Sequence, residues 1–171
     1  VALDAVYSGF IGSAGQIAAI RRFYERFRGA DTVVLCDPVM GDGGRPYRTY
    51  TPDMCRAMGE LAALADVITP NLTEAALLLG EEYADAPGSE TAARAWLERL
   101  SRDGRRSVVL TGLSFTGGEI GAGYFDAADG RTGFAMARQE PAHFPGTGDL
   151  FASVVLGSLL RGEALCSGVR K

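Results

Sequence analysis

The chain has 171 residues, of which 47% are hydrophobic and 22% charged, with a formal net charge of -4. That make-up fits one α/β-type domain with a real core and excludes a general nucleic-acid surface, which requires dense Lys and Arg. The lone His143 and the scattered Cys36, Cys55 and Cys166 exclude a multi-histidine metal site, a cysteine zinc site and a disulfide framework.

No apolar run reaches the eighteen or so residues of a membrane span, and Val1-Ala2-Leu3-Asp4 lacks the basic and apolar regions of a secretory leader. A cytoplasmic protein is expected, with its cysteines acting as small buried hydrophobes. Position 1 is not Met, and the sheet pattern is entered in its middle. An internal portion of a longer domain, lacking both termini, is therefore expected.

In chain order, Ala2 to Val6 reads as the end of a strand, followed by the turn Ser8-Gly9-Phe10-Ile11-Gly12. A helix is predicted over about 14–27, with Ile17, Ile20, Phe23, Tyr24 and Phe27 at helical spacing. Thr32 to Cys36 is a short apolar strand ended by Asp37-Pro38, and the glycine-rich loop Gly41-Asp42-Gly43-Gly44 follows. Thr51 caps a helix from Pro52 to about Leu64. Asp66 to Thr69 is a brief strand stopped by Pro70, and Thr73 to Leu79 a helix closed by Gly80.

The polar segment 81–89 reads as an exposed insertion, and a helix over 90–102 ends near Gly104. Ser107 to Thr111 is the next buried strand, and residues 112–123 are expected to loop. The runs 120–125 and 132–137 suggest a hairpin turning at Asp129-Gly130. His143, between Pro141 and Pro145, reads as a loop residue, and a last helix runs from near Gly148 to about Leu160. Strands alternating with helices predict a parallel sheet covered by helices.

Four strand ends carry the chemistry. In Phe144-Pro145-Gly146-Thr147-Gly148-Asp149, two glycines turn into a helix whose first amides form an anion site. Asp149 lies within reach of that site, placed to take a proton from an attacking hydroxyl or simply to cap the helix. In Cys36-Asp37-Pro38-Val39-Met40-Gly41-Asp42, two acids sit where open parallel sheets bind ligands, and hard cations prefer such oxygens. The alternative is a turn in which each Asp serves its own backbone. Thr69-Pro70-Asn71-Leu72-Thr73-Glu74 puts Asn71 and Glu74 one helical turn apart, facing one ligand, unless Thr73 and Glu74 simply start the helix. Val108-Val109-Leu110-Thr111-Gly112 ends a strand in a hydroxyl and a glycine.

In this order the four segments resemble the pyridoxal kinase branch of the ribokinase-like sugar and vitamin kinases, over about 4–162. The resemblance implies a three-layer αβα fold with a mostly parallel central sheet, here a single, incomplete domain over 1–171. It implies ATP-dependent phosphorylation of the 5′-hydroxymethyl group of pyridoxal, pyridoxamine or pyridoxine, with Asp149 as base. Gly146, Thr147 and Gly148 would form the anion hole. Asp37, Asn71, Glu74, Thr111, Gly112 and Thr147 would bind ATP, while Asp37, Asp42, Thr69 and Glu74 would serve Mg²⁺ and a monovalent cation such as K⁺ or Na⁺. Phe10 and Tyr47 would meet the vitamin ring. No nucleic acid or membrane partner is implied, and relatives are often homodimers. The alternatives are a hydroxymethylpyrimidine kinase of thiamine synthesis, which usually carries Cys where Asp149 stands, a sugar kinase, and a non-catalytic nucleotide-binding fragment.

Overall fold

The computed structural model describes residues 2–140 and 146–171, so the expected loop position of His143 lies outside the described residues. The short apolar runs pair as a six-stranded sheet in the order β1-β2-β5-β6-β7-β8. Strands β1 (Ala5–Ser8), β2 (Val33–Cys36), β5 (Val67–Ile68) and β6 (Ser107–Leu113) are parallel neighbours. Strands β7 (Glu119–Phe125) and β8 (Thr132–Arg138) continue the sheet antiparallel. The mostly parallel α/β architecture expected from the strand and helix alternation is what forms.

Alternation along the strands builds two cores, because successive side chains point to opposite faces. Val34, Cys36, Ile68, Val108 and Leu110 face one way and meet α1 (Ala14–Phe27), α2 (Pro52–Ala62), α3 (Leu72–Leu79) and α4 (Glu90–Ser101). Leu35, Val67 and Val109 face the other way and meet Ala152 and Val155 of α5 (Thr147–Leu160) and Leu165 and Val169 of α6 (Leu165–Val169). Helices thus lie on both faces of the sheet, giving three layers.

Local chemistry sets the helix ends. Ser13, Thr51 and Ser89 each accept an amide two or three residues into their helices, and Gly80 closes α3 in the left-handed region at φ 69°. At the opposite end of the sheet from the strand-end motifs, buried Arg106 donates to Leu100 O at 2.8 Å and Ala62 O at 2.6 Å. One cation thereby holds the C-terminal ends of α4 and α2, where the helix dipoles favour positive charge.

Four expectations are corrected. The stretch 112–123 is not one loop: β6 runs to Leu113 and β7 begins at Glu119. Its glycines suit a strand because a Cβ on Gly121 would lie 2.2 Å from Ala135 O, and one on Gly123 2.7 Å from the Phe134 ring. The first strand lies further along than read, at Ala5–Ser8. The apolar stripe of α1 is wider than the face it buries: Ile17 and Tyr24 are buried, whereas Phe23 and Phe27 stay exposed and pack on each other, ring centroids 4.6 Å apart. Of the three free cysteines only Cys36 is fully buried.

The glycine-rich loop folds into a small hairpin of β3 (Gly41–Asp42) and β4 (Arg45–Pro46). Gly43 and Gly44 both have positive φ, 56° and 78°, the requirement of a two-residue turn whose twist matches its strands. Gly44 N donates to Thr73 Oγ1 at 2.9 Å, and a Cβ on Gly44 would lie 2.6 Å from the Tyr83 ring. The polar segment after α3 therefore has a task, since Tyr83 of its single 3₁₀ turn (Tyr83–Asp85) backs the hairpin. Gly44→Ala is expected to cost about 1–3 kcal/mol locally through its backbone conformation alone. Hydrogen exchange over 41–47 should speed up while β2 and β5 stay protected; unchanged exchange at 41–47 would contradict this packing.

Candidate active site

The carboxyl ends of β1, β2, β5 and β6 and the first turn of α5 meet around one cleft of about 430 Å³. Phe10, Asp37, Asp42, Tyr47, Thr69, Asn71, Glu74, Thr111 and Gly146 to Asp149 line it, together with Val39 and Phe151. Of the residues singled out in the sequence, Gly112 alone lies off this lining. It borders an adjoining cleft of about 850 Å³ that shares Thr111, Thr147, Gly148 and Phe151 with the first.

The floor is acidic and buried. Asp37 is 6% exposed and accepts a hydrogen bond from Thr69 Oγ1 at 3.1 Å. Burial raises its carboxyl to about 6, against the pull of the Thr69 hydroxyl and with a push from the charge of Asp149. Glu74 is 3% exposed, and its two oxygens accept from Asn71 N at 2.8 Å and Met40 N at 3.2 Å. Burial raises it to about 8 although those amides favour the charged form. Neither acid forms an ion pair with Lys or Arg among the described residues.

Asn71 and Glu74 form a complete capping box: the Asn71 side chain accepts from Glu74 N at 3.0 Å while Glu74 reaches back to Asn71 N. The same pair reaches sideways. Asn71 Nδ2 donates to Gly41 O at 2.9 Å, and the Glu74 bond to Met40 N fixes the residue before it. Start of helix and organiser of the 40–42 loop are thus one arrangement, with both side chains aimed at backbone. Gly41 permits it, because a Cβ there would lie 2.4 Å from Arg45 O.

Opposite the acids, Gly146 caps α5 in the left-handed region at φ 83° and makes no side-chain cap bond. The amides that open a helix have no intrahelical acceptor, so the first turn of α5 offers donors and the positive end of the dipole to an anion. A Cβ on Gly148 would sit 3.9 Å from Asp37 Oδ2, which measures how closely the amide turn faces the acid floor. Asp149, in that first turn, does not cap the helix. Its side chain is held instead by Tyr7, whose Oη donates to Oδ1 at 3.0 Å.

Tyr7 is the residue that sequence reasoning missed. It lies in no glycine or acid motif, and only the pairing of β1 alongside β2 brings residue 7 beside residue 149. At the mouth, Phe10 and Tyr47 present rings that are 62% and 42% exposed. Asp42 is exposed at the hairpin and accepts from Gly43 N at 2.8 Å. Among the described residues no three His, Cys, Asp or Glu side chains converge as a metal cage. A cation here would take one or two carboxylates and complete its shell with ligand oxygens or water. No described helix is long and apolar enough to cross a membrane.

The phosphomethylpyrimidine kinase family profile matches residues 1–171. The chain is 36% identical over 165 residues to pyridoxal kinase PdxY of Deinococcus radiodurans, covering 92% of this chain and 55% of that protein. Among solved structures it is similar to a phosphomethylpyrimidine kinase candidate from Bacteroides thetaiotaomicron in a crystal form with pyridoxal: TM-score 0.91, 36% identity, covering 99% of this chain and 59% of that one. Similarity extends to pyridoxal kinase from Lactobacillus plantarum, with TM-score 0.86, 32% identity and 99% and 59% coverage. The chain spans about half the length of the curated relatives it matches.

Proposed function

The chain belongs to the phosphomethylpyrimidine kinase family, and from that premise we propose that the protein carrying it moves the γ-phosphoryl of ATP onto the 5′-hydroxymethyl oxygen of a vitamin B6 compound. One observation carries the reading: Asp149, freed from helix capping, stands in one cleft with an amide turn and a buried acid floor. A carboxylate beside a preformed anion site is what an alcohol phosphotransferase needs, because phosphoryl transfer is catalysed chiefly by positioning and charge stabilisation.

In the proposed step the vitamin's O–H bond breaks as its proton passes to the free oxygen of Asp149. The hydroxymethyl oxygen bonds to the γ-phosphorus while the bond from that phosphorus to the β,γ-bridging oxygen breaks, and ADP leaves. The amides of Thr147 and Gly148 receive the charge on the transferring group. The adjoining cleft past Thr111 and Gly112 is large enough for the nucleoside. Phe10 and Tyr47 offer flat apolar faces to a pyridine ring at the mouth.

Carboxylate and hydroxyl oxygens suit the Mg²⁺ that accompanies ATP, and two buried acids, Asp37 and Glu74, without a cationic partner among the described residues fit a cation's neighbourhood. Asp37 and Asp42 would hold it with the phosphates, and it would offset phosphate charge. Glu74 and Asn71 contribute by fixing the 40–42 loop, since their polar atoms are already bonded to backbone. Thr69 and Thr111 would serve a monovalent cation, K⁺ or Na⁺. The similarity to a structure with pyridoxal and to pyridoxal kinases supports B6 over a pyrimidine, as does Asp rather than Cys at position 149.

The test is ADP release by the full-length protein from ATP and Mg²⁺ with one acceptor at a time. Pyridoxal, pyridoxine or pyridoxamine should give the highest kcat/KM. Turnover of hydroxymethylpyrimidine or ribose in their place would move the assignment to those kinases, and nucleotide binding without turnover would favour a non-catalytic protein.

A further inference from the structure

We propose that Tyr7 is a positioning residue for Asp149, holding one carboxylate oxygen so that the other alone faces the cleft. The inference rests on the reading of Asp149 as the base. Tyr7 Oη donates to Asp149 Oδ1 at 3.0 Å across 142 residues of sequence, joining the edge strand β1 to the first turn of α5. Among the described residues this is the one hydrogen bond made by the Asp149 side chain. The backbone of Asp149 is bonded separately, its carbonyl accepting from Ser153 Oγ at 2.7 Å.

An exposed Asp in a first helical turn has two free torsions and can swing toward the helix amides, which attract a carboxylate. In that pose it would occupy the anion site instead of facing a substrate hydroxyl. The phenol prevents the swing. Its proton stays in place to do so, because burial foremost, with the negative charge of Asp37 nearby, disfavours the phenolate.

The space around the pair is shaped for it. A Cβ on Gly9 would lie 3.1 Å from Tyr7 Oη and 3.3 Å from Asp149 Oδ1, tighter than ordinary contact. The glycine of the Ser8-Gly9-Phe10 turn therefore leaves the hydrogen bond room that any larger residue would invade. Tyr7 lines neither cleft, whereas the carboxylate it bonds lines the first.

The experiment is a double-mutant cycle in the full-length protein, using Tyr7→Phe, Asp149→Asn and both together, assayed with ATP, Mg²⁺ and the best acceptor. Tyr7→Phe should lower kcat about 10- to 100-fold, the range of a lost hydrogen bond to a charged group, with KM for either substrate changed less than about twofold. In the Asp149→Asn background the Tyr7→Phe change should add less than about twofold, because the hydrogen bond then orients an amide that cannot act as the base. Gly9→Ala, which crowds the pair without removing the hydroxyl, should lower kcat in the same direction. A Tyr7→Phe enzyme with normal kcat, or an equal fall in both backgrounds, would overturn the assignment of Tyr7 while leaving Asp149 as base. Full turnover by Asp149→Asn alone would instead remove the base and this inference with it.

Discussion

Replacing Asp149 with Asn should lower kcat by about two to four orders of magnitude, the usual contribution of a positioned general base. The substitution keeps shape and the Tyr7 hydrogen bond, since an amide oxygen can accept from the phenol as the carboxylate does. What it removes is the basic oxygen that, in the proposed step, would take the substrate's proton. Nucleotide affinity should change little, because the Thr147 and Gly148 amides, the acid floor and the adjoining cleft are untouched. Single-turnover rates together with ATP titration separate the two effects. A parallel loss of ATP binding would show that Asp149 serves the nucleotide site, and near-normal turnover would show that the proton leaves by another route.

The second large effect is on stability. Glu74→Ala removes the acceptor for two backbone amides, those of Asn71 and Met40, and takes the back half of the capping box away. Leaving buried donors unsatisfied costs about 1–3 kcal/mol each, so a total loss on the order of 3 kcal/mol is expected at pH 5. The deficit should depend on pH. The Glu74 carboxyl is raised by burial from an ordinary 4.5 to about 8 in the fold, so the folded protein holds that proton more tightly than the unfolded chain. Its contribution is fully present below about 4.5 and is lost as pH rises through about 8. The gap between wild type and Glu74→Ala in urea midpoint should therefore narrow from pH 5 to pH 8. A gap that stays constant would mean that the amide bonds outweigh burial and keep the carboxylate charged throughout.

Most of the candidate site was legible because the polar groups follow directly on short apolar strands, and a parallel sheet gathers its strand ends on one edge. Asp37 after Cys36 and Thr69 after Ile68 are local patterns, Thr111 lies within β6 where its register shifts, and the fold brings all three to one cleft. Glu74 was legible as a helix-start residue, but Asn71 as its cap and the side-chain bonds to Met40 N and Gly41 O, which hold the 40–42 loop, were not.

What local pattern does not carry is partnership across the sheet. Tyr7 falls between the expected first strand and the Ser8 turn and carries no signal until β1 is laid beside β2 and α5 is brought over its end. The 112–123 stretch failed for a related reason: glycine density signals a loop in isolation, yet Gly121 and Gly123 are small because β8 approaches them closely. Tyr83 likewise gains its role only from the Gly44 backbone that settles against it.

The pairing of Tyr7 with Asp149 narrows the mechanism, for it explains how an exposed acid beside an anion site is kept facing outward. It also makes the acceptor's identity the central question. Competition answers it most directly: the full-length protein, ATP and Mg²⁺ are incubated with equal amounts of pyridoxal and hydroxymethylpyrimidine, and the products are read by phosphorus NMR and mass. The expected result is phosphate on the 5′-oxygen of pyridoxal, with Asp149→Asn forming almost none in the same time. Phosphate on the pyrimidine alone, or undiminished product from Asp149→Asn, would contradict the account.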